Sequence, residues 1–144
     1  MTPRYLLDTG VVSAPAAVRP DPRIVASLEA HAHRCAIAAP VWHELRFGVL
    51  RLPAGKRRAA LEAYLRDVVA RSFPILPYDE AAATWHAAER ARLEARGAPP
   101  PYVDGQIAAV AAARGLVLVT TNPKDFERFQ GLEVEDWSPR GRRS

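Results

Sequence analysis

The chain has 144 residues, is 49% hydrophobic, and carries a formal net charge of +4 with a pI near 9.7. That length suits one domain with a single buried core, and no apolar run approaches the roughly 20 residues that span a bilayer. One cysteine, Cys35, excludes an internal disulfide and a cysteine metal cluster, while His31, His33, His43 and His86 lack zinc-ligand spacing.

The start, Met1-Thr2-Pro3-Arg4, runs straight into an apolar segment without the long apolar core of a signal peptide, so a cytoplasmic protein is expected. Basic residues cluster at Arg46, Arg51 and Lys56-Arg57-Arg58, and again at Arg140, Arg142 and Arg143, which permits a phosphate-rich partner without requiring one.

In chain order, Tyr5-Leu6-Leu7 is a brief apolar run stopped by Asp8, which predicts a buried strand. Pro15, Pro20 and Pro22 punctuate a short helix and a connection, after which Ile24 and Leu28 mark a helix to about His33. Cys35 to Ala38 predicts a second strand, with the thiol as a small buried hydrophobe. Pro40 suits the first turn of a helix to Leu50 that sets Val41, Leu45 and Gly48 on one side and also carries Glu44. Pro53-Ala54-Gly55 breaks it. Leu61, Leu65, Val68 and Val69 then form the stripe of another helix, with Arg57, Arg58, Glu62 and Arg66 outward.

Ile75-Leu76 predicts a third strand, and Asp79 caps a helix whose Ala82, Trp85, Ala88 and Leu93 face the core as far as Gly97. The stiff Ala98-Pro99-Pro100-Pro101 link delivers Asp104 to the opening turn of a helix over 103–114, which buries Ile107, Ala108 and Ala111 and ends at Gly115. Leu116 to Thr121 is a fourth strand. A short helix over 123–129 follows, with Asn122 as its cap, Pro123 in its first position and Asp125 in its third, and Glu133-Val134-Glu135 reads as an edge strand. Strands that alternate with helices throughout predict a single α/β domain over 1–137, with a mostly parallel sheet and helices on both faces. The basic segment 138–144 is expected to fray.

Asp8, Glu44, Asp104 and the Asn122/Asp125 pair all lie where an apolar strand or helix meets a turn, which is where open α/β sheets build sites. Carboxylates from distant points of a chain can hold a hard divalent cation. Each residue also has a plain structural role available. Asp8 suits a turn, Glu44 a surface pair with Arg46 or Arg51, Asp104 a helix dipole, and Thr9 and Ser13 capping. No GxxxxGK[ST] loop and no GxGxxG after a strand is present, so other doubly wound nucleotide-binding families fit poorly.

Taken together, Tyr5-Leu6-Leu7-Asp8-Thr9 with Ser13, Trp42-His43-Glu44-Leu45-Arg46-Phe47-Gly48, Tyr102-Val103-Asp104-Gly105-Gln106-Ile107-Ala108-Ala109 and Val119-Thr120-Thr121-Asn122-Pro123-Lys124-Asp125-Phe126 resemble the signature blocks of PIN-domain ribonucleases. More narrowly, they resemble the VapC toxins of toxin–antitoxin pairs. The resemblance implies a PIN-like, five-stranded parallel sheet with Mg²⁺ or Mn²⁺ at its carboxyl edge. Asp8 and Asp104 would be the main metal ligands, Glu44 the third acid, and Thr120 a neighbour of the attacking water. The fourth acidic position falls on Asn122, so the corner is expected to be shared, with Asn122 facing the site and Asp125 supporting it. Gly10 replaces the Asn or Ser frequent two residues after the first Asp. Arg46 and Lys124 are expected to bind the substrate.

The implied activity is endoribonuclease cleavage of RNA, restrained by a VapB-like antitoxin, in a homodimer without membrane attachment. The alternative is a PIN-like module that binds RNA or protein without cutting, which Asn122 at the fourth position would favour.

Overall fold

A computed structural model of the chain describes residues 2–139. Its centre is a five-stranded sheet of order β3-β2-β1-β4-β5, in which every neighbouring pair is parallel. The strands are β1 (Tyr5–Leu7), β2 (Cys35–Ala38), β3 (Ile75–Leu76), β4 (Val117–Val119) and β5 (Glu133–Glu135). Strands β1, β2 and β4 are apolar because helices cover both of their faces, and Leu6, Leu7, Ala36, Ile37, Leu118 and Val119 are fully buried. The two-residue β3 and the charged β5 form the edges, where short or polar strands discourage further pairing.

The helices are α1 (Thr9–Val12), α2 (Pro22–His31), α3 (Ala39–Leu50), α4 (Lys56–Tyr64), α5 (Ala70–Ser72), α6 (Glu80–Ala95) and α7 (Tyr102–Ala113). Asp79 caps α6 by accepting from the Ala82 amide at 3.0 Å. Gly97 and Gly115 end α6 and α7 at positive φ (71° and 65°), where the amides of Ala98 and Leu116 close back on the carbonyls of Leu93 and Ala111 at 2.9 Å. Cys35 is buried, its thiol donates to the His31 carbonyl at 3.2 Å, and burial pushes its pKa up to about 12, so it is inert.

Three details differ from the pattern expected of the sequence. Residues Leu65–Val69 form a π-helical turn between α4 and α5, and its wider pitch rotates the stripe. Leu65 and Val69 are buried as expected, whereas Val68 is 44% exposed. On α6 the buried face is Ala82, His86, Glu89 and Leu93, and Ala88 faces solvent. Glu89 can be buried because both of its oxygens receive Arg92 at 2.8 Å and one also receives the Gln130 amide at 2.8 Å. Finally, the expected helix over 123–129 is a single 3₁₀ turn, Pro123–Asp125, and the Asn122 side chain makes no capping bond. The turn is closed by backbone alone, the Asp125 amide donating to the Asn122 carbonyl at 3.1 Å.

Trp137 is buried against Tyr5 and His31, and Ser138 beside it is also buried. The rest of the basic tail from Arg140 on lies outside the described residues. Among the described residues no helix is long and apolar enough to cross a membrane.

Candidate active site

The parallel register of β1 with β4 pairs Leu7 with Val119, so the residues that leave the two strands, Asp8 and Thr120, emerge side by side. Asp8 is held at both oxygens. Oδ1 accepts from the Thr9 amide at 2.8 Å, and Oδ2 accepts from the Thr120 hydroxyl at 2.9 Å. The Thr120 hydroxyl in turn accepts from the Asn122 amide at 3.1 Å. Thr120 is fully buried, so it orients Asp8 from below, with its hydroxyl already engaged. Thr9 also serves the site. Its hydroxyl donates to Glu44 Oε1 at 2.9 Å, which ties α1 to α3. Glu44 is exposed on α3 and takes this bond, while Arg51 lies over the Phe47 ring at 5.6 Å. Ser13 turns back to the Thr9 carbonyl at 2.9 Å and stays local to α1.

Asp104 sits half-buried in the first turn of α7. Burial first, and then the charges of Asp8, Asp125 and Glu44 in that order, push its pKa up to about 6. Burial also raises Asp8, against the lowering effect of its bonds to Thr120 and Thr9, and Asp125 adds a further upward push. The four carboxylates expected from the sequence thus form one electrostatic group. Asp125 reaches it through its charge although it is exposed on the 3₁₀ turn. Asn122 contributes its backbone amide, and its side chain is exposed.

Arg46 is half-buried two residues after Glu44, and Lys124 is exposed beside Asp125; among the described residues neither forms an ion pair with the carboxylates. Gly10 is exposed at the opening of α1, where a Cβ would meet the Thr121 hydroxyl at 3.3 Å.

No three Asp, Glu, His or Cys side chains among the described residues are drawn together tightly enough to hold an ion as they stand. The donor set nevertheless suits a hard divalent cation. It is all oxygen, it concentrates negative charge at one sheet edge, and a cation would offset the burial and, behind it, the like charges that raise Asp104 and Asp8.

His86, which has no zinc-ligand spacing in the sequence, is buried, and Gly105 next to Asp104 packs against it. An isolated glycine inside a helical pattern, such as Gly105, is the sequence signal of such close packing.

A parallel α/β sheet whose carboxyl edge gathers acidic residues from a strand end and from neighbouring helices is an arrangement that phosphodiester-cleaving nucleases use. The family model for the PIN domain matches residues 5–132. The chain is 33% identical over 141 residues to a tRNA(fMet)-specific endonuclease VapC of Shigella flexneri, which covers 94% of this chain and 98% of that one. It is also 34% identical over 137 residues to the toxin FitB of Neisseria gonorrhoeae, across 93% of this chain and 96% of the relative. Among solved structures it resembles FitAcB from Neisseria gonorrhoeae with a TM-score of 0.82 at 32% identity, covering 90% of this chain and 95% of that one. It also resembles DNA-bound VapBC from Salmonella typhimurium with a TM-score of 0.81 at 29% identity, covering 94% and 99%. The chain belongs to the PIN-domain family, in its branch of VapC ribonuclease toxins.

Proposed function

We propose that this protein is a Mg²⁺- or Mn²⁺-dependent endoribonuclease that hydrolyses RNA phosphodiester bonds in the cytoplasm as the toxin of a toxin–antitoxin pair. The observation that carries this reading is the placement of Asp8, held at both oxygens by Thr9 and Thr120 where β1 ends, within reach of the charge of Asp104, whose carboxyl is raised by burial and then by Asp8, Asp125 and Glu44. Like charges held together against their repulsion call for a cation. Asp8 and Asp104 would hold it, with Glu44 as the third acid and Asp125 as the fourth negative charge. When bound, such a cation would lower the pKa of a water and offset charge on the phosphoryl oxygens.

The chain's own contribution is positioning. Thr120 and the Thr9 amide fix both oxygens of Asp8, and the Thr9 hydroxyl fixes Glu44, so the carboxylates need little reorganisation when substrate arrives. Arg46 and Lys124, which flank the acids in sequence, would engage RNA phosphates.

A cleft of about 410 Å³ opens beside Glu44 between α1, α3 and α4, lined by Thr9, Leu45, Gly48, Arg57, Leu61 and Tyr64. Its apolar walls beside acidic residues suit an antitoxin segment that carries a basic side chain to the carboxylates. Phe47 and Leu50 on α3, 58% and 51% exposed, offer a surface for a homodimer.

The reading is tested by incubating purified protein with RNA and Mn²⁺, with and without EDTA. Cleavage that EDTA abolishes and that Asp8→Asn reduces by at least about 100-fold is expected. Undiminished cleavage by Asp8→Asn would refute it.

A further inference from the structure

Although the middle of α7 is deeply buried, the turn that presents Asp104 opens with the exposed Tyr102 and Val103 and has few bonds of its own. Pro101 at its N-cap provides no side-chain bond, the Pro99-Pro100-Pro101 run before it lies outside any helix or strand, and three neighbouring carboxylates repel Asp104. Against α6, by contrast, α7 makes an unusually close fit. A Cβ built on Gly105 would lie 2.2 Å from His86 Nε2 and 2.8 Å from its Cδ2. The edge of the imidazole therefore occupies the space that any larger residue at 105 would need. Gly105 has no positive φ to account for its being glycine. The ring is set from its other side by the Tyr78 hydroxyl, 2.9 Å from Nδ1, and the Tyr102 ring stands 5.2 Å away. Nε2 is buried without a hydrogen-bond partner among the described residues.

A helix-interior glycine and an unpartnered buried nitrogen both cost stability. A simple apolar pair would avoid both costs, yet they coincide in one contact, one residue from Asp104. We infer that His86 is a positioning residue for Asp104: its ring, oriented by Tyr78 and seated on Gly105, locks the first turn of α7 against α6 so that the carboxylate stays beside Asp8 and Glu44.

The inference rests on the metal-site reading above, and its test separates the two. Gly105→Ala, His86→Ala, the double variant and Tyr78→Phe are compared with the natural protein by Mn²⁺ calorimetry and by amide hydrogen exchange over residues 102–106 without metal. Each single alanine change should weaken Mn²⁺ binding by about tenfold and speed exchange in that turn. The double variant, whose new methyl fills the space the ring leaves, should recover both to within about threefold. Tyr78→Phe keeps the packing and should weaken Mn²⁺ binding by about threefold.

If Gly105→Ala alone does not fold but the double variant does, the interlock is supported. Unchanged Mn²⁺ affinity and unchanged exchange in folded single variants would overturn it, as would a double variant no better than the worse single one. If the natural protein itself binds no Mn²⁺, the metal-site reading fails. In that event the exchange pattern still decides whether His86 and Gly105 lock the turn.

Discussion

Replacing Asp104 by Asn should make the metal-free protein more stable. Its native carboxyl has a pKa near 6 against the usual 3.8, a difference equivalent to about 3 kcal/mol between protonation states. Asp104 is partly open to water, which screens the repulsion, so about 1.5 kcal/mol should survive, or about 4 °C in Tm for a domain of this size. The sign follows from the proton. The native carboxyl binds it more tightly than the unfolded one does, so the penalty is absent below about pH 4, grows as pH rises towards 6, and is complete at neutrality.

Thermal unfolding of both proteins in EDTA should therefore show the variant ahead at pH 7.5 and the gap closing at pH 5. Millimolar Mn²⁺ should reverse the order, because ligand binding stabilises only the protein that binds it. A variant equal to or less stable than the natural protein at pH 7.5 in EDTA would refute the account of Asp104 as a repelled, desolvated charge.

Since Asp125 acts on Asp8 and Asp104 through its charge while Asn122 lends only its backbone amide, Asp125→Asn should lower Mn²⁺ affinity more than Asn122→Ala does, as titration calorimetry would reveal. Thr120→Val leaves both Asp8 Oδ2 and the Asn122 amide without their partner, so it should cost about 2 kcal/mol in urea unfolding and at least tenfold in cleavage rate. Glu89→Ala removes the paired carboxylate from Arg92, which keeps its bond to the Arg128 carbonyl, and leaves the Gln130 amide without its partner, so it should destabilise the fold measurably in urea unfolding. The Arg92 bonds hold the Glu89 pKa below its ordinary value, so the stability it contributes is present at neutral pH and lost as pH falls below the usual carboxylate range; the gap between variant and natural protein should narrow on acidification. An unchanged gap at pH 3.5 would argue against that pairing.

The order of elements was legible because it rests on local chemistry. Short apolar runs ended by Asp8, by Pro40 after β2, and by Thr120 and Asn122 could be read directly, as could the Asp79 cap and the Gly97 and Gly115 stops. The four acidic positions were legible for the same reason, each being a carboxylate at an apolar boundary. Folding decided what depends on partners distant in sequence. Only the β1–β4 register sets Thr120 under Asp8, and only tertiary partners, Gly105 of α7 for His86 and the Gln130 amide for Glu89, select these two as the buried face of α6 over the more apolar Ala88. The apolar moment of α6 is weak, so polar groups that find tertiary partners can turn inward. The π turn displaced Val68 by the same kind of non-local choice. Asn122 has the residue type of a cap, but in the tight 3₁₀ turn its own carbonyl already takes the Asp125 amide, and its side chain makes no capping bond. A carboxylate's position along the chain is local information, whereas the charge it feels depends on the other three, and only the folded sheet edge brings them together.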